Sequence, residues 1–128
     1  MNAPDRQEKF VVPEGIKKVA FKPDTKVANA GSFTSQREDH TVGNLIRMQL
    51  HRDRNVVFAG YRIPHPLEYQ MVVKVQTNGK KTPIQAVQHS LQDLGDEVND
   101  IRAKFQEQLS QFGGGPGGGM GGPPLPPY

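Results

Sequence analysis

Cysteine is absent from this sequence, which excludes disulfides and thiolate metal centres. Long apolar runs are missing too. Nothing in the 128 residues is extended and hydrophobic enough to read as a signal peptide or a membrane span, so a soluble intracellular protein is expected. The four histidines, His40, His51, His65 and His89, stand far apart with no His-x-x-x-His or His-His spacing that would ligate a metal or hold a substrate ring. No cofactor is therefore expected. Asp39 beside His40 has the chemistry of an orienter and a base, yet adjacent residues at a helix start serve more often in capping. A glycine run begins at Gly113, but no Gly-Lys-Ser/Thr follows it, so it is a linker and not a phosphate loop. Positive charge is modest as well, at a formal +3. Residues 1–82 sum to +6 and residues 83–112 to −3, with the Lys and Arg scattered singly or in pairs. A dedicated nucleic-acid binder usually concentrates them in a stripe interleaved with aromatics.

What the chain does have is one long periodic stretch from Thr82 to Phe112. Its apolar residues are Ile84, Val87, Leu91, Leu94, Val98, Ile101, Phe105, Leu109 and Phe112, at intervals of 3,4,3,4,3,4,4,3. A helix packing on its own domain usually carries a broad apolar face of period 3.6, whereas a sustained 3,4 alternation is the narrow seam of a helix paired with another helix. Thr82 and Pro83 read as N-cap and first helical position, and Gly113 ends the element. About thirty residues make a rod of roughly 45 Å, against roughly 30 to 35 Å for a compact domain of this size. Each seam residue left in water forgoes about 1.5 to 3 kcal/mol of burial, and Ile101, Phe105, Leu109 and Phe112 all lie in the distal third. Either a partner chain covers them, or the helix bends at Gly95 and folds back over a sheet of its own domain.

Upstream, residues 1–15 hold Pro4, Pro13 and Gly15 and read as an irregular arm that Phe10, Val11 and Val12 tuck onto the body. Ile16 to Lys22 alternates apolar and polar residues as a strand with one wet face. Ala30 to Arg37 is a second, weaker strand with few deeply buried residues. Thr41 stands where an N-cap belongs before a helix from Val42 to about Arg52, with Glu38 and Asp39 outside its positive end. The apolar residues of that helix cover more than one line, so it should face the sheet on one side and another helix on the other, and Gly43 permits a close backbone approach. Asn55 to Ile63, the most hydrophobic run, reads as a central strand ended by Pro64, His65 and Pro66. Tyr69 to Thr77 is a half-buried strand closed by Asn78 and Gly79. The order predicts an α+β domain over residues 1–112: one four-stranded antiparallel sheet with two helices on one face, ββαββα. Residues 113–128, with 8 Gly and 5 Pro, are expected to form a disordered tail, although Pro123 to Pro126 has the composition of a polyproline II ligand.

The run Glu38-Asp39-His40-Thr41-Val42-Gly43-Asn44-Leu45-Ile46-Arg47, followed from Val56 by Val-Val-Phe-Ala-Gly-Tyr-Arg-Ile-Pro-His-Pro-Leu, resembles the small alpha-like subunits of nuclear and archaeal RNA polymerases. The opening Met1-Asn2-Ala3-Pro4-Asp5-Arg6 is similar to the polymerase II branch of that family, not the branch shared by polymerases I and III. The resemblance covers residues 1 to about 112. It implies the fold of the bacterial alpha-subunit dimerisation domain, a nuclear location, and a heterodimer with the larger alpha-like subunit, the third subunit of RNA polymerase II, that nucleates enzyme assembly in contact with other polymerase subunits. The family's pairing surface, built from the first and last helices, carries over onto Leu45, Ile46, Leu50, Leu91, Leu94, Val98, Ile101 and Phe105. The family motif falls on Glu38, Asp39, His40, Thr41, Gly43, Asn44, Val56 and Phe58 in a structural role, with no catalytic residue and no specific nucleic-acid contact transferred. The Gly/Pro tail departs from the family pattern and is expected to be dispensable for assembly.

Two other classes stand against this. A homodimeric enzyme on a related fold, such as a pterin-carbinolamine dehydratase, needs convergent histidines, and the sole candidate is His65 between two prolines. A free nucleic-acid-binding module would work through Lys17, Lys18, Lys22, Arg52 and Arg54, with affinity falling steeply with salt.

Overall fold

The computed structural model describes residues 5–113. After a four-residue 3-10 helix, Arg6–Lys9, come strands β1 (Val19–Pro23) and β2 (Ala30–Gln36), helix α1 (His40–His51), strands β3 (Val56–Arg62) and β4 (Gln70–Thr77), and helix α2 (Pro83–Gly113). The ββαββα order is as expected, and all three strand pairings are antiparallel. By contacts the chain divides into two units, Met1–Gln92 and Asp93–Tyr128. The first contains the sheet, α1 and the first turns of α2. The described part of the second is the remainder of α2. The proposed disordered tail lies, beyond Gly113, outside the described residues.

The sheet order is β1-β2-β4-β3, which corrects two expectations from the strand patterns. Helix α1 is a crossover that carries the chain past the place where β4 later inserts, so the most hydrophobic strand, β3, ends at an edge. Val57 and Phe58 on it are exposed, and a register shift between Val56 and Phe58 marks a bulge. Strand β2 is interior instead, with Ala30, Gly31, Phe33 and Ser35 buried. The other edge, β1, is exposed along its whole length. Its Phe21 ring lies 4.8 Å from that of Phe33 and over Gly31, where an added Cβ would sit 2.3 Å from the ring. A glycine without a side chain thus lets an aromatic on the edge strand cover the pairing.

One sheet face makes the core. Met71, Val73 and Val75 alternate along β4 with partly exposed neighbours and are buried together with Phe33, Ala59, Ile46, Leu50 and Ala86. Helix α1 seats Gly43, Ile46 and Leu50. An added Cβ at Gly43 would stand 2.6 Å from the Tyr61 ring and 2.7 Å from the Met71 sulfur, so the close approach anticipated there is real. The cap of α1 is Asp39 and not Thr41. Asp39 is extended, with φ −134°, and its carboxylate accepts the Thr41 N–H at 3.0 Å, so the helix begins at His40. The acidic side chain completes an orphan N–H itself, which is stronger than merely standing near the positive end.

Helix α2 opens with a reciprocal cap: the Gln85 N–H donates to Thr82 Oγ1 at 3.2 Å and the Thr82 N–H donates to Gln85 Oε1 at 3.0 Å. Pro83 follows the cap, where its missing N–H costs nothing. A second anchor is Lys81, whose ammonium lies 2.6 Å from Asp53 Oδ2 and 3.0 Å from His89 Nδ1. Partial burial is the largest influence on the Asp53 carboxyl and favours its neutral form. The Lys81 ammonium, the Asn55 N–H and His89 together outweigh it and hold the pKa below the ordinary value. The helix runs unbroken through Gly95 to Gly113. Among the described residues no helix is long and apolar enough to cross a membrane.

Candidate protein-docking surface

The motif residues gather around the entry to α1. Glu38 pairs with Lys18 at 2.9 Å, Asp39 caps, and His40 Nδ1 lies 2.9 Å from the Tyr61 hydroxyl with the two rings edge to face. Asn44 Oδ1 accepts from Arg47 at 2.7 Å. Val56 is half-buried at the start of β3, and Phe58 is exposed two residues on. Every one of these contacts is local support. The other histidines are apart: His65 Nδ1 accepts from the Leu67 N–H, and His89 faces Lys81. Among the described residues no group of three or more His, Cys, Asp or Glu side chains is placed to hold a metal ion.

The apolar seam tells more. In the first turns of α2 the residues that pack down are Pro83, Ala86 and Ser90, a line of small side chains beside the seam and not part of it. Ile84 and Leu91 are left exposed, Leu91 by half its surface. From Asp93 onward Leu94 is half-buried, whereas Val98, Ile101 and Phe105 are 61, 62 and 51% exposed and Leu109 and Phe112 are exposed as well. On α1, Leu45 and Met48 are exposed. Of the eight residues expected to pair, six therefore present surface: Leu45, Leu91, Leu94, Val98, Ile101 and Phe105. Leu50 does not. It is 0% exposed in the core, because the face of α1 that holds Gly43, Ile46 and Leu50 is the one pressed on the sheet, so its assignment to a pairing surface is corrected. Ile46, 8% exposed, belongs to the same core and lines a groove.

That groove lies on the helix side of the sheet, with a volume of about 210 Å³. Val19, Phe33, Met71 and Val73 come from the strands, Val42 and Ile46 from α1, and Val87 and Leu91 from α2, with Ser35 and the partly exposed Lys18–Glu38 ion pair completing it. Sequence periodicity did not show it. Val87 stood in the seam and Val19 in an alternating strand, but nothing in one dimension says that two helices leave a gap over a sheet.

The seam residues Val87 and Leu91 border the apolar groove, and the seam continues exposed along α2 from Val98. Residues 30–104 match the RNA polymerase Rpb3/Rpb11 dimerisation domain. The chain belongs to that family. Among relatives of this dimerisation family, DNA-directed RNA polymerase II subunit rpb11 of Dictyostelium discoideum is 50% identical over 111 residues, covering 87% of this chain and 92% of the relative. The probable RNA polymerase II subunit RPB11 of Caenorhabditis elegans is 43% identical, covering 87 and 90%, and RPB11 of Schizosaccharomyces pombe is 35% identical, covering 84 and 87%. A solved structure, DNA-directed RNA polymerase subunit L from Thermoplasma acidophilum, superposes with a TM-score of 0.62 at 19% identity, covering 75% of this chain and 94% of that one. That likeness shows the alpha-type dimerisation fold.

Proposed function

We propose that this chain is a non-catalytic assembly subunit of DNA-directed RNA polymerase II, acting in the nucleus. It pairs with the larger alpha-like subunit, the third subunit of that enzyme, and the pair is the platform on which the other subunits assemble. The observation that carries this reading is the exposed seam from Leu91 to Phe112 on a chain of a dimerisation family. Five apolar side chains with half or more of their surface in water, Leu91, Val98, Ile101, Phe105 and Phe112, are stabilised by a partner that buries them, at about 1.5 to 3 kcal/mol for each one fully covered. The names of the relatives supply the enzyme, and the seam supplies the means. Magnesium chemistry and nucleotide transfer belong to other subunits in this reading.

The test is a tagged pull-down from cell extract together with a seam variant. The wild-type chain should bring the third subunit and the remaining polymerase subunits with it. Leu94→Asp combined with Ile101→Asp should abolish that co-purification while the circular dichroism of the sheet persists. Unchanged co-purification of the double variant refutes the pairing surface.

A further inference from the structure

The groove over the sheet is a hole in the core, and a folded domain of this size seldom leaves one. Interiors pack to the density of organic crystals, with few voids larger than a water molecule. Here about 210 Å³ stands open above Phe33, Met71, Val73 and Ile46, all less than 10% exposed. Water gains little there, since beyond Ser35 and the Lys18–Glu38 pair the lining offers it no side-chain hydrogen-bonding partner. For scale, an apolar cavity of about 150 Å³ admits a benzene molecule. The space thus suits one phenylalanine- or leucine-sized side chain.

Its mouth indicates where that side chain comes from. Val87 and Leu91 line the groove and are also consecutive members of the α2 seam, so whatever lies along the seam at this point also lies over the opening. Most of the lining falls within residues 30–104, the part that matches the dimerisation family. We infer that the groove is a socket for a single large apolar side chain projecting from the pairing helix of the partner subunit. Val19, Val42, Phe33, Met71 and Val73 thereby become specificity-determining residues for pairing, in addition to the seam. A knob that fills a fully desolvated pocket is the kind of contact on which binding energy concentrates, while a flat seam tolerates many apolar partners. This inference rests on the pairing reading above.

The experiment fills the socket from the side opposite the seam. Val19 lies on the edge strand β1, outside α1 and α2, so Val19→Phe directs a ring into the groove without substituting a seam residue. With the third subunit as titrant and the full-length chain, V19F should bind at least tenfold more weakly while its own melting temperature is unchanged or higher. Val42→Phe fills the same space from α1 and serves if V19F fails to fold. Toluene should shift the Met71 methyl resonance of the free full-length chain and leave it unmoved in the heterodimer, where the partner occupies the space. If L94D/I101D loses pairing but both filled variants bind within twofold of wild type, the socket is overturned and the seam stands. Toluene reaching Met71 in the heterodimer overturns it likewise. If neither the seam variant nor the filled variants change pairing, the assembly reading falls and the socket with it.

Discussion

The ten residues Pro83–Gln92 and the twenty-one residues Asp93–Gly113 belong to one helix and carry one spacing, yet they live differently. In the first stretch Pro83, Ala86 and Ser90 are buried, the N-terminus is capped reciprocally by Thr82 and Gln85, and Lys81 ties the entry to Asp53. In the second no residue is buried, and the described ion pair Lys104–Asp100 at 3.0 Å is an exposed i,i+4 contact of the kind that contributes a few tenths of a kcal/mol. The lesson is that a 3,4 stripe reports that something will cover it but not what. The residues of α2 that are buried are small ones off the stripe, and most of the stripe stays exposed in both stretches.

If that contrast is right, truncations should fall into two groups. The largest loss of folding stability belongs to the body: Leu50→Ala should cost about 2 to 5 kcal/mol in urea unfolding of the free chain, because Leu50 is wholly enclosed and its cavity cannot collapse freely. Asp39→Ala should cost about 1 kcal/mol by leaving the Thr41 N–H without its acceptor, and Asp39→Asn should restore most of it.

Acidification gives a smaller effect, confined to the body. The Asp53 carboxyl is held below its ordinary value, and so is that of Asp24, chiefly by the Lys26 and Val27 N–H groups and further by Lys74. A carboxyl depressed in the folded state adds stability at pH values above its unfolded pKa of about 3.9, and that contribution is lost as pH falls through the folded value. The urea midpoint should therefore fall between pH 5 and pH 3, and Asp24→Asn with Asp53→Asn should flatten that slope. Smallest is the distal seam: Val98→Ala should move the stability of the free chain by no more than about 0.5 kcal/mol, since Val98 is exposed and Ala is the better helix former, while weakening capture of the third subunit. A fall in stability as large as that of Leu50→Ala would mean that the distal seam is already covered.

Much of this was legible beforehand, for identifiable reasons. The strands alternate with period 2, so β4 was read as half-buried and is. Thr82-Pro83 and the glycine at 113 bracket α2 because caps and breakers act within a few residues. Gly43 was read as a close approach because a missing Cβ has few other uses there. The errors share one origin. Strand β3 was expected at the centre for its hydrophobicity and β2 to bury few residues for its polarity, yet in the order β1-β2-β4-β3 the first lies at an edge and the second is interior with four buried residues. Leu50, carried onto the pairing surface by the family resemblance, is enclosed instead, because likeness of sequence does not say which side of α1 meets the sheet.

Local interactions, then, are what the residues determine alone: element type, caps, turns and the 3,4 stripe, each decided by groups a few positions apart along the backbone. Only the tertiary structure decided which strand is interior, that Leu50 and Ile46 are enclosed while Leu45 is not, and that α1 and α2 leave an apolar hollow between Val19 and Leu91. Those outcomes depend on crossovers and on the distances between elements remote in sequence, and distances of that kind are set by how surfaces fill space together.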